Sequence, residues 1–210
     1  MRKRKWQTVI FILLIVVLSF VYMRMNNLFL HPEDVFWGCE RGLKSGPSEE
    51  IVLQYEQNDG SFVLVGRQEN GIFVVPVEKT HFFFWKLKNG DVDGKYACEG
   101  DVDGYLNSDG KILGLSKNPD ITEVSFIVGN WADLNWQEVI GVPEKDGFIC
   151  LDTEYLGPEN HVIYCEGRDA NGEVLYFAGD DDLAASLRKG NIRPSKPVVT
   201  RSFVTAAEAE

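Results

Sequence analysis

The chain opens with four consecutive cations, Arg2, Lys3, Arg4 and Lys5, and then runs uncharged from Trp6 to Met23. The polar members of that run, Gln7, Thr8 and Ser19, stand near its ends. No face is polar, so the run is predicted as a helix without the amphipathic stripe of a soluble helix. At about 1.5 Å per residue it reaches roughly 27 Å, just enough for a bilayer core of about 30 Å. Trp6 and Tyr22 fall where amphipathic rings favour the interface, and the leading cations favour the cytoplasm. The expected topology is therefore a single pass through the cell membrane: residues 1–5 cytoplasmic, 6–23 a transmembrane anchor, and the C-terminal side outside. A cleaved leader would need small residues before its cut. The exit here, Ser19-Phe20-Val21-Tyr22-Met23-Arg24-Met25, is bulky, so an uncleaved anchor is expected. Cys39 follows Phe36-Trp37-Gly38 too far beyond the apolar run for a lipid-attached cysteine.

Beyond the anchor the pattern changes to short runs rich in β-branched and aromatic residues. Turn signals separate them: Asn58-Asp59-Gly60, Glu69-Asn70-Gly71, Lys88-Asn89-Gly90, Ser108-Asp109-Gly110, Lys145-Asp146-Gly147 and Ala170-Asn171-Gly172. Asn-Gly and Asp-Gly supply the positive φ of tight hairpins. Strands are predicted over 51–55, 61–65, 72–77, 81–87, 111–115, 121–128, 137–142, 148–151, 161–165 and 173–177. That spacing predicts an all-β, Ig-like sandwich-type ectodomain over residues 51–178, with Asn118-Pro119-Asp120 as a dividing point. Residues 24–50, interrupted by Pro32, Gly46 and Pro47, read as a juxtamembrane linker. A short helix is predicted over 179–189, where acids precede Arg188 and Lys189, and a disordered tail over 190–210.

Charge narrows the partners. Residues 1–25 hold five cations and no acid, so 16 cations face 32 acids in the remainder, a net charge of −16. Such a surface repels phosphate backbones, so nucleic acid is not an expected partner. Its four cysteines, Cys39, Cys98, Cys150 and Cys165, all lie on the side expected outside, where disulfides persist. Cys150 and Cys165 sit in what read as successive strands, which suggests one pair and leaves Cys39 with Cys98 as the other. The alternative is four free buried thiols.

The sharpest candidate chemistry is Asp91-Val92-Asp93-Gly94, repeated as Asp101-Val102-Asp103-Gly104. Alternating acids beside a glycine turn can offer oxygen ligands to calcium. The EF-hand pattern fails, with Tyr105 and Leu106 at positions that need a ligand and a glycine, and Ile112 where the closing glutamate belongs. Asp91, Asp93, Asp101 and Asp103 therefore remain candidates for a looser calcium site, against the reading of two solvated turns flanking a strand at 95–98. Otherwise no cofactor is expected. His81-Phe82-Phe83-Phe84-Trp85 reads as a central strand buried on both faces, or as an exposed aromatic ledge. Trp131 and Trp136 read as loop anchors, with a sugar-stacking platform as the rival. No nucleophile elbow, zinc-protease helix or phosphate loop is present.

The stretch from Asp120-Ile121-Thr122-Glu123-Val124 to Arg168-Asp169-Ala170-Asn171-Gly172-Glu173-Val174-Leu175-Tyr176 resembles the C-terminal half of small exported proteins of Gram-positive bacteria. Those proteins share a cationic start, one apolar anchor and a small β-domain. The resemblance implies location and architecture. The expected function is a non-enzymatic envelope module whose partners are the membrane, through the N-terminal helix, and another envelope protein or a cell-wall polymer. A calcium-dependent binding or structural domain and a glycan-active hydrolase are the alternatives.

Overall fold

In the computed structural model the described residues are 2–80, 83–90, 92–130, 136–154, 159–179 and 195–199. Helix α1 (Arg2–Met25) opens the chain. Its side chains from Trp6 to Tyr22 are exposed all round. Within it, Trp6–Met25 is the one helix among the described residues long and apolar enough to cross a membrane.

Helix α2 (Pro32–Leu43) follows, inside the stretch predicted as a linker. The correction has a local cause. Pro32 stands in the first helical turn, where its fixed φ starts a helix instead of breaking one. Glu33 and Asp34 occupy the first turn, Arg41 the last, and Lys44 closes the end in the left-handed conformation. Val35 and Phe36 are buried.

The strands are β1 (Glu50–Glu56), β2 (Phe62–Gln68), β3 (Gly71–Thr80), β4 (Phe84–Leu87), β5 (Gly94–Ala97), β6 (Val102–Leu106), β7 (Lys111–Ser116), β8 (Glu123–Gly129), β9 (Trp136–Gly141), β10 (Phe148–Asp152), β11 (His161–Arg168), β12 (Val174–Gly179) and β13 (Ser195–Val199). The chain is mostly β, as predicted. The described strands form three sheets, however, where an Ig-like sandwich has two. The first runs β1-β2-β3-β4, with β5 also on β3. The central one is β10-β7-β6, and the third is β12-β11-β8-β9-β13. Pairing is antiparallel except for β13, which lies parallel to β9 inside the predicted tail. The predicted helix over 179–189 falls almost entirely outside the described residues.

Three apolar layers hold these elements in a stack. Val35 and Phe36 of α2 pack with Leu64, Phe73, Val75 and Val77 on one face of the first sheet. The other face, through Val63, Val65, Ile72 and Val74, meets Leu113, Leu115, Phe148 and Cys150 of the central sheet. The central sheet then turns Ile112, Ile149 and Leu151 toward Val124, Phe126, Val128 and Val139 of the third. With both faces covered, β7 and β10 are buried along nearly their whole length. They therefore lack the alternation of a half-solvated strand.

The turn signals hold where they join neighbours. The β6–β7 hairpin carries Gly110 at φ +75, and its Asn107 side chain accepts from the amides of Asp109 (3.0 Å) and Lys111 (2.9 Å). Asp146 (φ 70) and Gly147 (φ 79) turn together into β10.

Candidate functional site, a basic cleft where the first helix meets the first sheet

Helix α1 joins the first sheet through a short connection. After α1, the amide of Leu28 donates back to the Met23 carbonyl (2.9 Å), and the Asn26 side chain donates to the Tyr22 carbonyl (2.9 Å). Phe29 then pairs with Trp85 of β4 by two backbone hydrogen bonds, its N–H to the Trp85 carbonyl (2.9 Å) and the Trp85 N–H to its carbonyl (2.8 Å). Three residues, Asn26 to Leu28, thus separate the last residue of α1 from the first sheet. Helix α2 leaves immediately afterwards and lies over that sheet.

An open cleft of about 980 Å³ is enclosed by this junction, α2 and the β4 end. Arg24, Arg41 and Lys86 line it, together with Asn26, Asn27 and Cys39, and no acidic side chain lines it among the described residues. Lys86 Nζ lies 2.9 Å from Glu78 Oε1. A cleft of this sign stands out in a domain that carries twice as many acids as cations.

Glu40 fixes the far end of α2. Its buried Oε1 accepts from the Ser48 amide (2.7 Å), the Ser48 hydroxyl (2.6 Å) and Gln68 Nε2 (3.2 Å). Gln68 Nε2 also donates to the Ser45 carbonyl (2.7 Å). Loop 44–48 and β2 are thereby tied to the helix. Neither this clamp nor Arg41 and Lys86 was singled out from the sequence. The available signal was the spacing of Val35, Phe36, Cys39 and Glu40 on one helical face, hidden by reading Pro32 as a breaker.

All four cysteines are free thiols, so the pairs Cys150–Cys165 and Cys39–Cys98 are not formed. Cys150 points into the layer between first and central sheets, while Cys165 lies in the layer beyond, its thiol 3.4 Å from the Val102 carbonyl. Their strands β10 and β11 follow in sequence but belong to different sheets. Cys39 lies on α2, against one face of the first sheet, and Cys98 packs on the opposite face of that sheet. Burial pushes the thiols of Cys98, Cys150 and Cys165 up to about 12, far from the thiolate form at neutral pH. Native protein at pH 7.5 is therefore expected to react quickly with maleimide at no more than Cys39, and unfolded protein at all four. Mass spectrometry counts the adducts, and the melting temperature should not change with reductant.

The two Asp-Val-Asp-Gly turns lead into different sheets. Asp91 lies outside the described residues. Asp93 leads into β5 of the first sheet, whereas Asp101 and Asp103 enter β6 of the central sheet. The Asp103 carboxylate accepts from the Tyr96 hydroxyl, the Glu99 amide and the Gly104 amide, each at 2.8 Å. Tyr96 in turn stacks on Tyr105 at 4.8 Å. Asp101 Oδ2 accepts from Asn118 at 3.3 Å. Among the described residues no three His, Cys, Asp or Glu side chains gather as a metal site.

Of the aromatic run, His81 and Phe82 lie outside the described residues. Phe83 is exposed, and Phe84 and Trp85 are half-buried on the short strand β4. That strand ends the pairing path of its sheet, which corrects the reading of a central strand buried on both faces. Trp136 is buried and donates from its ring N–H to the Asn130 carbonyl (3.3 Å), the core role expected for it, while Trp131 is outside the described residues.

A second groove, of about 710 Å³, runs past Arg67, Lys117 and Glu144. Glu144 Oε1 is buried with no hydrogen-bond donor among the described residues, and desolvation raises its carboxyl above the ordinary carboxylate range. A raised folded value means that the native state binds the proton more tightly, so this group's ionisation lowers stability as pH rises from the unfolded value through the folded one. Glu144→Gln is therefore expected to raise the melting temperature at pH 7 relative to wild type, and to lose that advantage below about pH 4, where both states are protonated. Calorimetry across that range measures it.

Comparison with protein-family models, with curated proteins and with solved structures finds no match to the chain.

Proposed function

We propose that this protein is a single-pass membrane protein whose β-domain faces the exterior and acts, without catalysis, as an interaction module of the envelope. The observation that carries this reading is the direct coupling of α1 to the first sheet. A helix of spanning length is followed within four residues by the Phe29–Trp85 pairing and then by α2. A tether meant only to keep a domain near a surface can be long and polar. A short, hydrogen-bonded junction instead presents one face of the domain to the bilayer and another outward. The cations at the start of α1 support an inside N-terminus. The excess of acids on the domain supports basic or cation-rich partners outside. The resemblance to small exported proteins of Gram-positive bacteria points the same way, with a second envelope protein or a cell-wall polymer as the partner.

The non-enzymatic part is tested on the whole chain solubilised in neutral detergent and incubated with purified cell-wall polymer. No release of reducing ends or free amines is expected. Turnover that scales with protein concentration would replace this reading with a hydrolase.

A further inference from the structure

We propose that the basic cleft at the anchor–domain junction binds the phosphate of an anionic lipid headgroup from the leaflet that the domain faces, an inference that rests on the membrane-anchored reading above. Arg24 is the first charge after the apolar run, which places it at headgroup level when the run spans the bilayer. Arg41, exposed in the last turn of α2, lines the same cleft, and so does Lys86. Neither arginine has an ion pair among the described residues, whereas Lys86 is shared with Glu78. A guanidinium presents a planar fork of N–H donors that matches two phosphate oxygens. Two such forks beside one cavity can hold a phosphodiester.

The space is suitable. The volume, about 980 Å³, lies within the range of small-molecule sites, roughly 300–1,000 Å³. Gly42 and Gly90 line it with no heavy atom within 4 Å of where a Cβ would stand, so the backbone leaves room there.

Charge and position favour a lipid over a soluble anion or an acidic peptide. The surrounding domain carries 32 acids and repels an anionic ligand approaching through solvent. A lipid approaches from the membrane side, already concentrated at the level of Arg24. Cations on the exterior side also run against the usual bias toward the cytoplasm, and a lipid phosphate supplies their counter-charge.

The test uses the full chain in micelles of a neutral detergent. Its melting temperature is followed by tryptophan fluorescence while dioctanoyl phosphatidylglycerol, dioctanoyl phosphatidylcholine or sodium phosphate is added. Phosphatidylglycerol alone is expected to raise the melting temperature by several degrees and to saturate, since a ligand bound only to the folded state must do so. In Arg24→Gln/Arg41→Gln the half-saturating concentration should rise about tenfold or more. Arg41→Gln alone, on an exposed side chain, serves if the double variant does not fold. Equal shifts with phosphatidylcholine, the same shift with phosphate alone, no shift at all, or an undiminished response in the variants would each overturn the proposal. Alkaline extraction of the same membranes separates the two readings. A chain that stays in the pellet but ignores phosphatidylglycerol refutes the lipid site alone, and a chain released to the supernatant refutes the anchor.

Discussion

Phe36→Ala is expected to destabilise the domain by about 3–5 kcal/mol, the range for truncating a fully buried phenylalanine. The ring is wholly buried and meets Phe73 edge-on at 5.5 Å and Trp37 at 4.9 Å. Its tip also occupies the space left by Gly66 on β2, where a Cβ would collide with it and stand 2.7 Å from Ser48 Oγ. At Gly66 the facing surface is backbone, which offers no side chain to move into the cavity. The loss should therefore sit at the high end of the range, and Phe36→Leu should cost distinctly less. Urea unfolding of the full chain in detergent, read by tryptophan fluorescence, gives both values. The consequence for function is specific. Without Phe36 the α2 helix keeps the Glu40 clamp at its C-terminal end but loses its seat on the first sheet, so the cleft beside Arg41 should widen and Cys39 should react faster with maleimide. A cost below about 1 kcal/mol would mean that α2 is not packed on the sheet.

Gly114→Val in β7 is expected to be as damaging, at about 3 kcal/mol or more, through overpacking rather than loss of contact. Gly114 faces Gly104 across the β6–β7 pair and Ile149 across β10–β7. A Cβ there would overlap the Asp103 carbonyl oxygen and stand 2.7 Å from Gly104 Cα. These are backbone atoms, so relief requires the strands to part. Parting them disturbs layers on both sides, since the central sheet contributes to the cores shared with the first and third sheets. Gly172→Ala is the contrasting case. It occupies an exposed turn with open space around it, so its cost should come from its φ of +81 alone, about 1 kcal/mol. Thermal unfolding of the two variants side by side separates steric overlap in the core from backbone strain at the surface.

How far the fold was legible follows from where its signals are local. Apolar periodicity and Asn-Gly or Asp-Gly turns are local, and they located β1, β2, β3, β7, β8, β9, β10, β11 and β12 to within a few residues. The division into three sheets is not local. The runs Ile112-Leu113-Gly114-Leu115 and Phe148-Ile149-Cys150-Leu151 show no alternation, which marks strands covered on both faces. That feature alone distinguishes a central sheet from half of a two-sheet sandwich. The repeat Asp-Val-Asp-Gly was legible as a motif, but its copies enter different sheets because β5 turns back onto β3 while β6 pairs forward with β7. The Cys150–Cys165 pair failed for the same reason, and the Cys39–Cys98 pair because the first sheet lies between them. Adjacency in sequence predicts adjacency in a sheet only when no sheet boundary intervenes, and Cys150 and Cys165 straddle one. Of the cleft, Arg24 was legible as the charge that ends the apolar run. Arg41 joins it only once residues 32–43 are known to form a helix, and Lys86 only once Phe29 is known to pair with Trp85.

The most direct test of the account is the side of the membrane on which the β-domain lies. Ser108→Cys places a thiol on the exposed β6–β7 turn; Cys98, Cys150 and Cys165 stay unreactive, and the unsubstituted chain gives the background from half-buried Cys39. Intact cells expressing the full-length variant are treated with a membrane-impermeant maleimide, and the labelled fraction is compared with that after lysis. Labelling as complete in intact cells as in lysed ones, on a chain that resists alkaline extraction and begins at Met1, is the expected result. Labelling only after lysis would place the domain in the cytoplasm and contradict the account.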